Sequence, residues 1–393
     1  MVSNELLKEE IKSVEADMIS FRRLIHQHPE TAFEEVETTN RIARKLDDFG
    51  ITYKRMDPTG LVGEIEGNKP GKTILLRADI DALDVKEETG EEYASQTEGK
   101  MHACGHDNHA SMLVAALKVL NQHKDDIEGT VRFVFQPAEE VGEGADAMIA
   151  QGAVDGVDYA FGLHVMPIAK TGQIIALKGK ELASADFFYV DFIGKGGHGG
   201  MPQYSNDPIM MATHFVQSIQ TILSRRINPL HPGVITVGSF NSGSAANVIP
   251  GEARLSGTVR TFDDETRDVI EKDLEEFANE AARLYGGEAI VKYDRLTNSI
   301  INDEAGADLV DALVLDAFGE EYVVKTDPSM GGEDFGSYLR EVPGTFAMVG
   351  TQNDDLPTHF PNHHKCFNID EDALKYGAFL HASFALNHLK NNA

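Results

Sequence analysis

Residues 101–120 read MHACGHDNHASMLVAALKVL, a polar cluster followed by an apolar segment. The cluster contains one thiol and three imidazoles, the side chains that bind borderline divalent metals best. Gly105 lets Cys104 and His106 point into one pocket. The segment 110–120 predicts a buried helix, whose N-terminal dipole would favour a thiolate at Cys104. We therefore expect a metal-binding loop at the start of a buried helix; a redox-sensitive cysteine or a satisfied polar loop is the alternative.

Apolar runs elsewhere in the chain predict strands that end in ligand-type or acid–base side chains. These side chains are Asp79 and Asp81 after 73–78, Glu139 and Glu140 after 130–136, and His164 after 159–163. Open α/β sheets carry their chemistry at the carboxyl ends of strands, so we expect one site along that edge.

Two amphipathic helices are expected before the first of these strands. Apolar residues at spacings of three and four predict a single helix over 7–25, and a second helix over 35–49 is closed by Gly50. His26 and His28 lie between the two helices. They could bind metal, but shaping a turn beside the site is the favoured interpretation.

Composition excludes several classes of protein. The 393 residues carry a formal net charge of −29, so a nucleic-acid partner is not expected. The two cysteines form no disulfide framework, which suits a reducing compartment. No secretory signal and no apolar run of membrane-spanning length is evident, so we expect a cytoplasmic protein that is not bound to a membrane.

The pattern of elements changes after about residue 180. The following segments predict a β-α-β-β-α-β unit, the ferredoxin-like order: 186–194, 207–226, 234–240, 252–261, 265–284 and 288–293. We therefore predict an α/β protein in which residues 1–180 and 294–393 form a catalytic domain. Its mixed, mostly parallel sheet is flanked by helices, and residues 181–293 form an inserted ferredoxin-like lid and dimerisation domain.

The adjacent carboxylates Glu139 and Glu140 predict a division of labour. Paired carboxylates are often only a solvated surface, but these two follow Pro137 at the end of an apolar strand. In such a place one can bind metal while the other serves as a base, its pKa raised by a dry pocket and by the charge beside it.

Together these motifs resemble the zinc-peptidase superfamily of carboxypeptidase G and aminoacylase. The nearest resemblance is to the amidohydrolase branch with hippurate hydrolase, indole-acetyl-amino-acid hydrolases and N-acetyl-diaminopimelate deacetylase. The likeness covers almost the whole chain and is carried by 24–35, 77–83, 101–109, 136–140, 194–202, 246–250, 332–335 and Asp370. Two positions depart from the family pattern: Asp84 stands where Pro is usual, and Asn368 where Asp is usual.

The resemblance implies a hydrolase with two divalent metal ions, of Zn, Mn, Ni or Co. The ligands implied are Cys104, His106, Glu140, His164 and His363. Cys104 would take the place of a bridging carboxylate, and His363 is preferred over His364 from its spacing to Phe367 and Asp370. A thiolate suits this role because it neutralises charge and is soft.

The resemblance also implies roles outside the metal ligands. Glu139 would be the general base, and Asp79 and Asp81 would orient a ligand. In the Gly-rich turn 194–200, His198 would donate to the oxyanion, although a flexible loop with an incidental His is the alternative. Asn247 and Arg260 would hold the substrate; for Arg260, a surface salt bridge is the alternative.

The expected reaction is hydrolysis of an amide bond in an N-acyl amino acid or a small peptide-like compound. An aminopeptidase or dipeptidase is the alternative enzyme, with Glu333 or Asp334 binding a substrate amine. A non-catalytic, metal-dependent binding protein is the alternative outside the enzymes. A homo-oligomer formed through the lid is expected, with His198 acting within its own subunit or across subunits.

Overall fold

The computed structural model describes residues 2–392, which divide into two compact units. Unit 1 comprises residues 2–181, 301–328 and 334–392, and unit 2 comprises Leu182–Ile300 and Ser329–Glu333. The predicted insertion ended at residue 293, whereas unit 2 continues to Ile300. The reason is that the last strand of its sheet runs on to Thr297.

The chain contains eleven α-helices within residues 2–392. They are α1 (Asn4–Ser13), α2 (Glu15–His26), α3 (Val36–Phe49), α4 (His106–Gln122), α5 (Gly144–Ala150), α6 (Pro208–Ser218), α7 (Gln220–Arg225), α8 (Asp264–Leu284), α9 (Glu304–Ala317), α10 (Gly336–Glu341) and α11 (Leu374–Asn391). None of these helices combines the length and the apolar composition that a membrane span requires.

Sixteen strands are described over the same residues. They are β1 (Tyr53–Arg55), β2 (Leu61–Glu66), β3 (Lys69–Asp79), β4 (Glu128–Gln136), β5 (Tyr159–Lys170), β6 (Ile174–Ile175), β7 (Gly179–Leu182), β8 (Ser184–Ile193), β9 (Gly197–His198), β10 (Gly233–Ser242), β11 (Val248–Ile249), β12 (Glu252–Thr261), β13 (Glu288–Thr297), β14 (Ile300–Asn302), β15 (Val323–Val324) and β16 (Gly344–Gln352).

Unit 1 is built on a mixed sheet of eight strands in the order β1-β2-β4-β3-β5-β16-β6-β15. The four central strands β4, β3, β5 and β16 run parallel to one another. Register places Asp79 beside Gln136, so β3 and β4 deliver the polar segments that follow them to the same edge. The prediction of a mostly parallel sheet flanked by helices is confirmed.

The helix predicted over 110–120 is the buried core helix of unit 1. It is α4, which begins at His106 and packs against β3, α2 and α11. Met112, Leu113 and Leu117 are fully buried within it. Because neighbours surround it, α4 is apolar nearly all round rather than along one stripe. The loop before it is therefore anchored on a rigid element.

The single helix predicted over 7–25 is wrong, because the structure has two. Val14 separates α1 from α2, and its N–H donates to the Ile11 carbonyl instead of continuing the helix. The apolar stripe passes through this break without interruption, since Leu7 and Met18 are both buried. Apolar spacing alone therefore could not reveal the break.

Unit 2 contains the predicted β-α-β-β-α-β order. Its antiparallel sheet has the strand order β10-β12-β8-β13, and α6 and α8 pack together over it around a separate apolar core. The helix predicted over 207–226 is divided at Ile219 into α6 and α7. The short pair β9 and β11 lies outside this sheet.

Candidate metal centre

All five side chains predicted as metal ligands lie in unit 1 and form two overlapping groups. The ligand-type atoms of Cys104, His106 and His164 all lie within 4.8 Å of one another. Those of Cys104, Glu140 and His363 do so as well. The Cys104 sulfur belongs to both groups, which is the arrangement a shared ligand requires.

His106 presents one ring nitrogen to the centre and uses the other for anchoring. Its Nδ1 lies 3.0 Å from Oδ1 of Asp81. Its Nε2 is buried and has no hydrogen-bond partner among residues 2–392, and it lies 3.8 Å from Oε1 of Glu140. That carboxylate oxygen is also buried without a hydrogen-bond partner in the described chain. Such orphaned atoms are costly unless something binds them.

Asp81 orients two of these side chains at once. While Oδ1 faces His106, Oδ2 accepts the backbone N–H of Glu140 at 3.0 Å. A carboxylate on Nδ1 holds the proton there and leaves the Nε2 lone pair for a metal. The predicted orienting role of Asp81 therefore has a geometry that supports it.

His164 is oriented in the same way by the backbone. Its Nδ1 lies 2.7 Å from the Val165 carbonyl oxygen, which can only accept, so the ring proton is on Nδ1. The Nε2 lone pair then faces the Cys104 sulfur at 3.4 Å. Burial lowers the pKa of His164 well below its ordinary value, which keeps the ring neutral, the form that binds metal.

Cys104 is buried, and its thiol is not activated by the helix alone. Burial raises its pKa well above the ordinary value, and the Glu140 carboxylate raises it further. Burial and the Glu140 carboxylate therefore oppose the favourable effect on a thiolate that is expected from the N-terminus of α4. A thiolate here needs an added positive charge. Asn362, a residue that sequence reasoning missed, donates to the Cys104 carbonyl at 3.0 Å and lies 3.7 Å from its sulfur.

His363, rather than His364, faces the centre. Its Nε2 lies 3.4 Å from Oε2 of Glu140, and its backbone N–H donates to the Ala103 carbonyl at 2.8 Å. His364 turns away: its Nδ1 accepts the Cys366 N–H at 3.1 Å, and its ring stacks on Phe360. The geometry supports the preference for His363 that spacing had suggested.

Glu139 and Glu140 leave β4 on a tight turn. Ala138 has a positive φ of 57°, a conformation that L-residues seldom adopt. The turn brings Oε2 of Glu139 to 3.8 Å from Nε2 of His106. Burial raises the pKa of Glu140 to about 7. Both carboxylates thus face the group of ligand atoms.

Asp79 is buried behind the ligands and is fully engaged by other groups. One oxygen accepts a hydrogen bond from Nδ1 of His109 at 2.5 Å, and the other accepts a hydrogen bond from Arg77. The remaining nitrogen of His109 accepts the Val165 N–H at 2.9 Å, beside His164. With both nitrogens used, His109 is not available to a metal. Asp79 supports the strand that carries His164 through His109, and its Oδ2 also lies 3.9 Å from Nε2 of His106.

Two buried ionic networks surround the centre and were not predicted from the sequence. In one, Arg22 lies 2.6 Å from Asp107, which also accepts from His26 at 2.9 Å. In the other, Arg77 donates to Asp334 at 2.7 Å. His26 therefore supports the first turn of α4, where Asp107 lies, instead of binding metal. The only sign of these networks in the sequence is that Arg22 and Arg77 each lie within an otherwise apolar pattern.

Unit 2 holds the three remaining predicted side chains. His198 on β9 pairs with Val248 on β11, and the N–H of Gly199 donates to the Asn247 carbonyl at 2.9 Å, so His198 and Asn247 are neighbours. Nδ1 of His198 accepts the Gly200 N–H at 3.0 Å. A neutral ring then carries its proton on Nε2, where it can donate.

Arg260 lies within the sheet of unit 2, on β12. Its guanidinium donates to Thr258 and to the carbonyl of Val259 at 3.0 Å. Across the described part of the chain, no carboxylate lies within ion-pair distance of it, so the alternative of a surface salt bridge is not seen. Burial lowers the pKa of Arg260 from its ordinary value.

Comparison with known families identifies the family of the chain. The model of peptidase family M20/M25/M40 matches residues 75–387. The chain belongs to this family. The match includes every predicted ligand, the Glu139–Glu140 pair, the whole of unit 2 and the part of unit 1 that lies between residues 75 and 387. The resemblance stated from the motifs is therefore confirmed.

Relatives within peptidase family M20/M25/M40 cover nearly the whole chain. An N-acetyl-L-cysteine deacetylase of Bacillus subtilis is 40% identical over 96% of this chain and 91% of its own. A thermostable carboxypeptidase of Saccharolobus solfataricus is 38% identical over 97% and 98%. The crystal structure of the Bacillus subtilis YXEP protein, described as a dinuclear metal binding M20 peptidase, has a TM-score of 0.84. It is 34% identical and covers 96% of this chain and 99% of its own.

Proposed function

We propose that this protein hydrolyses the amide bond of N-acyl amino acids or small peptide-like compounds, using two divalent metal ions. Its family membership and its similarity to a deacetylase and a carboxypeptidase support hydrolysis of amide bonds. Deacetylases of N-acyl amino acids and carboxypeptidases both cleave an amide bond, so one kind of metal centre can serve either reaction.

One observation carries the proposal. His106 Nε2 and Glu140 Oε1 are buried, lie 3.8 Å apart and lack hydrogen-bond partners among residues 2–392. Asp81 holds both residues in place by accepting hydrogen bonds from Nδ1 of His106 and from the backbone N–H of Glu140. Burying a ligand atom and leaving it unbonded costs about 1–3 kcal/mol unless a ligand satisfies it. The residues present therefore fit a metal centre.

The grouping of donors suggests how two ions would be held. One ion would take Cys104, His106 and His164, and the other would take Cys104, Glu140 and His363. Each ion would then have three protein ligands, which leaves a position for water or substrate, as catalytic sites require. A mixed set of thiolate, imidazole and carboxylate suits Zn, Mn, Ni or Co and does not select among them.

The side chains then have distinct parts in the reaction. Bound divalent ions supply Lewis acidity and lower the pKa of water toward about 7. Glu139 accepts the proton of the attacking water and returns it to the leaving amine, which keeps the proton count balanced. Glu139 suits this task because it is buried beside the ligands and Glu140 takes the role of ligand.

Unit 2 is proposed to act as a lid that supplies groups for the substrate. His198 would donate from Nε2 to the oxyanion, since Gly200 occupies its other nitrogen. Asn247, whose carbonyl accepts the N–H of Gly199 beside His198, would bind the substrate together with Arg260. The guanidinium of Arg260 suits a substrate carboxylate. The open edges of the four-stranded sheet suit pairing with a second copy, and light scattering would show whether a homo-oligomer forms.

A cytoplasmic location remains a prediction from the cysteine content. Immunodetection of the protein in fractionated cells would test it.

The alternative of an aminopeptidase would need an acidic group for the substrate amine. Asp334 is not available for this role, because its carboxylate already accepts from Arg77, from Gln136 at 2.8 Å and from the N–H of Ala145 at 2.9 Å. This engagement removes Asp334 from that role but leaves Glu333, the other acidic residue named for it, so a substrate panel has to decide between N-acyl and free-amine substrates.

The test is a substrate panel with the metal-loaded protein. Acetyl- and benzoyl-amino acids should be cleaved, and dipeptides with a free amine should be poorer by kcat/KM. Faster cleavage of free-amine dipeptides would make the aminopeptidase the correct function. Binding of acyl amino acids without turnover, whichever metal is supplied, would establish the non-catalytic binding protein instead.

A further inference from the structure

Within residues 2–392, three residues other than glycine have a positive φ: Phe33, Ala138 and His363. The backbone N–H groups of Phe33 and Ala138 both donate to the same atom, Oε1 of Glu35, each at 2.9 Å. The other oxygen of Glu35 accepts from the Thr59 hydroxyl at 2.6 Å. One buried carboxylate therefore holds two strained backbone positions together.

Ala138 is the residue that directs the catalytic turn. It ends the segment after β4, and Glu139 and Glu140 follow it at once. A left-handed conformation is unfavourable for a residue with a Cβ, so it persists only where surrounding bonds hold it. If Ala138 relaxed, the two following side chains would leave their present positions. The N–H bond to Glu35 opposes that relaxation.

Glu35 itself is an expensive group to bury. Its side chain is fully buried, and no Lys or Arg of the described chain forms an ion pair with it. Burial raises its pKa to about 7 despite the bonds it accepts. A well-packed apolar residue would be the cheaper choice at such a place if stability were its only role.

We infer that Glu35 is a positioning residue, which holds the turn at Ala138 so that Glu139 and Glu140 face the metal centre. The inference rests on the proposed hydrolysis for its kinetic consequence. Its structural consequence, the placement of Glu140 as a ligand, is independent of the substrate. The hydrogen bonds that Glu35 accepts come from Phe33, Ala138 and Thr59 and from none of the proposed metal ligands, so its effect on those ligands would pass through Ala138.

A matched pair of variants separates this role from simple packing. Glu35→Met has a side chain of similar length and no oxygen, so Ala138 loses its acceptor. Glu35→Gln keeps an amide oxygen for the two N–H groups, while its NH₂ can donate to Thr59. Thr59→Val removes one hydrogen bond to Glu35 and leaves the bond to Ala138. Glu34→Gln is the surface control, because Glu34 is exposed and bonds Thr31 and Lys100.

The readouts are Zn²⁺ affinity by competition with a chromophoric chelator, melting temperature, and kcat and KM on the acyl amino acid that wild type cleaves best. Glu35→Met should lower kcat by on the order of 10²-fold, the effect of a displacement of about 1 Å. It should also weaken the weaker Zn²⁺ site by about 10-fold or more, as loss of a supporting bond does. Glu35→Gln should stay within about threefold of wild type in both, and Thr59→Val should lower only the melting temperature.

Several results would overturn the inference. Wild-type kcat and Zn²⁺ affinity in folded Glu35→Met would do so, as would equal kinetic losses in Thr59→Val. If Glu35→Met does not fold, Glu35→Asp replaces it; its shorter side chain should cost at least about 10-fold in Zn²⁺ affinity, and unchanged affinity would refute the role. A wild type without activity would refute the proposed function alone, since the affinity comparison would still decide the role of Glu35.

Discussion

Asp81→Asn tests how the metal centre is oriented, because asparagine has nearly the same shape as aspartate but different hydrogen-bonding groups. The wild-type carboxylate accepts from His106 through one oxygen and from the N–H of Glu140 through the other, both at 3.0 Å. Asparagine has one acceptor and one donor in the same positions. Whichever way the amide turns, one of the two ligands loses its acceptor and meets a donor.

Both orientations of the amide harm the centre. If its NH₂ faces His106, the ring must accept at Nδ1, so its proton moves to Nε2, the atom that would bind metal. If its NH₂ faces Glu140, two donors oppose each other, and the turn that carries Glu140 must shift. Loss of such a supporting bond costs about 10- to 100-fold in metal affinity, or about 1.4–2.7 kcal/mol.

The assay is Zn²⁺ competition with a chromophoric chelator, with metal content measured by mass spectrometry after dialysis. Asp84→Asn is the control, since Asp84 is exposed and is separated from Asp81 by only two residues. Asp81→Asn should lose affinity at one or both sites, and Asp84→Asn should match wild type. Wild-type affinity for both ions in folded Asp81→Asn would refute the claim that Asp81 orients His106 and Glu140.

Five further substitutions test three separate parts of the mechanism. Cys104→Ser should lose at least one metal ion and most activity, whereas Cys366→Ser, the other cysteine, should change neither; full metal occupancy with normal turnover in Cys104→Ser would remove Cys104 from the centre. Glu139→Gln should keep both ions and lower kcat by about 10²- to 10⁴-fold, whereas Glu140→Gln should also weaken metal binding; equal metal binding by these two variants would show that the roles are misassigned. His198→Ala should keep both ions and lower kcat by about 10²- to 10³-fold, and mixing it with Glu139→Gln should restore some activity only if His198 acts across subunits.

Much of the centre could be predicted because its ligands follow strands or begin a helix. Period and apolarity locate those elements, so Glu140 after β4, His164 in β5 and His106 at the start of α4 were proposed as ligands from the sequence, and the structure brings their ligand-type atoms into two overlapping groups. Parallel strands meeting at one edge bring such residues together whatever the loops do. The order of elements in unit 2 was readable for the same reason.

The rest depends on contacts between distant parts of the chain. Glu35 and Ala138 are 103 residues apart, and no local pattern indicates that a carboxylate must meet a left-handed alanine. The division of ligands around Cys104 depends on the loop that carries His363, which has no periodicity. The burial that raises the pKa of Cys104 could not be predicted either, because desolvation depends on packing that composition does not specify.

The central claim is that two ions share the sulfur of Cys104. Anomalous diffraction at the zinc edge, from crystals of the zinc-loaded protein, measures this directly. We predict two peaks, each about 2.3 Å from Sγ of Cys104, one beside His106 and His164 and the other beside Glu140 and His363. A single peak at full zinc loading, or two peaks of which either lies beyond bonding distance of that sulfur, would contradict the claim.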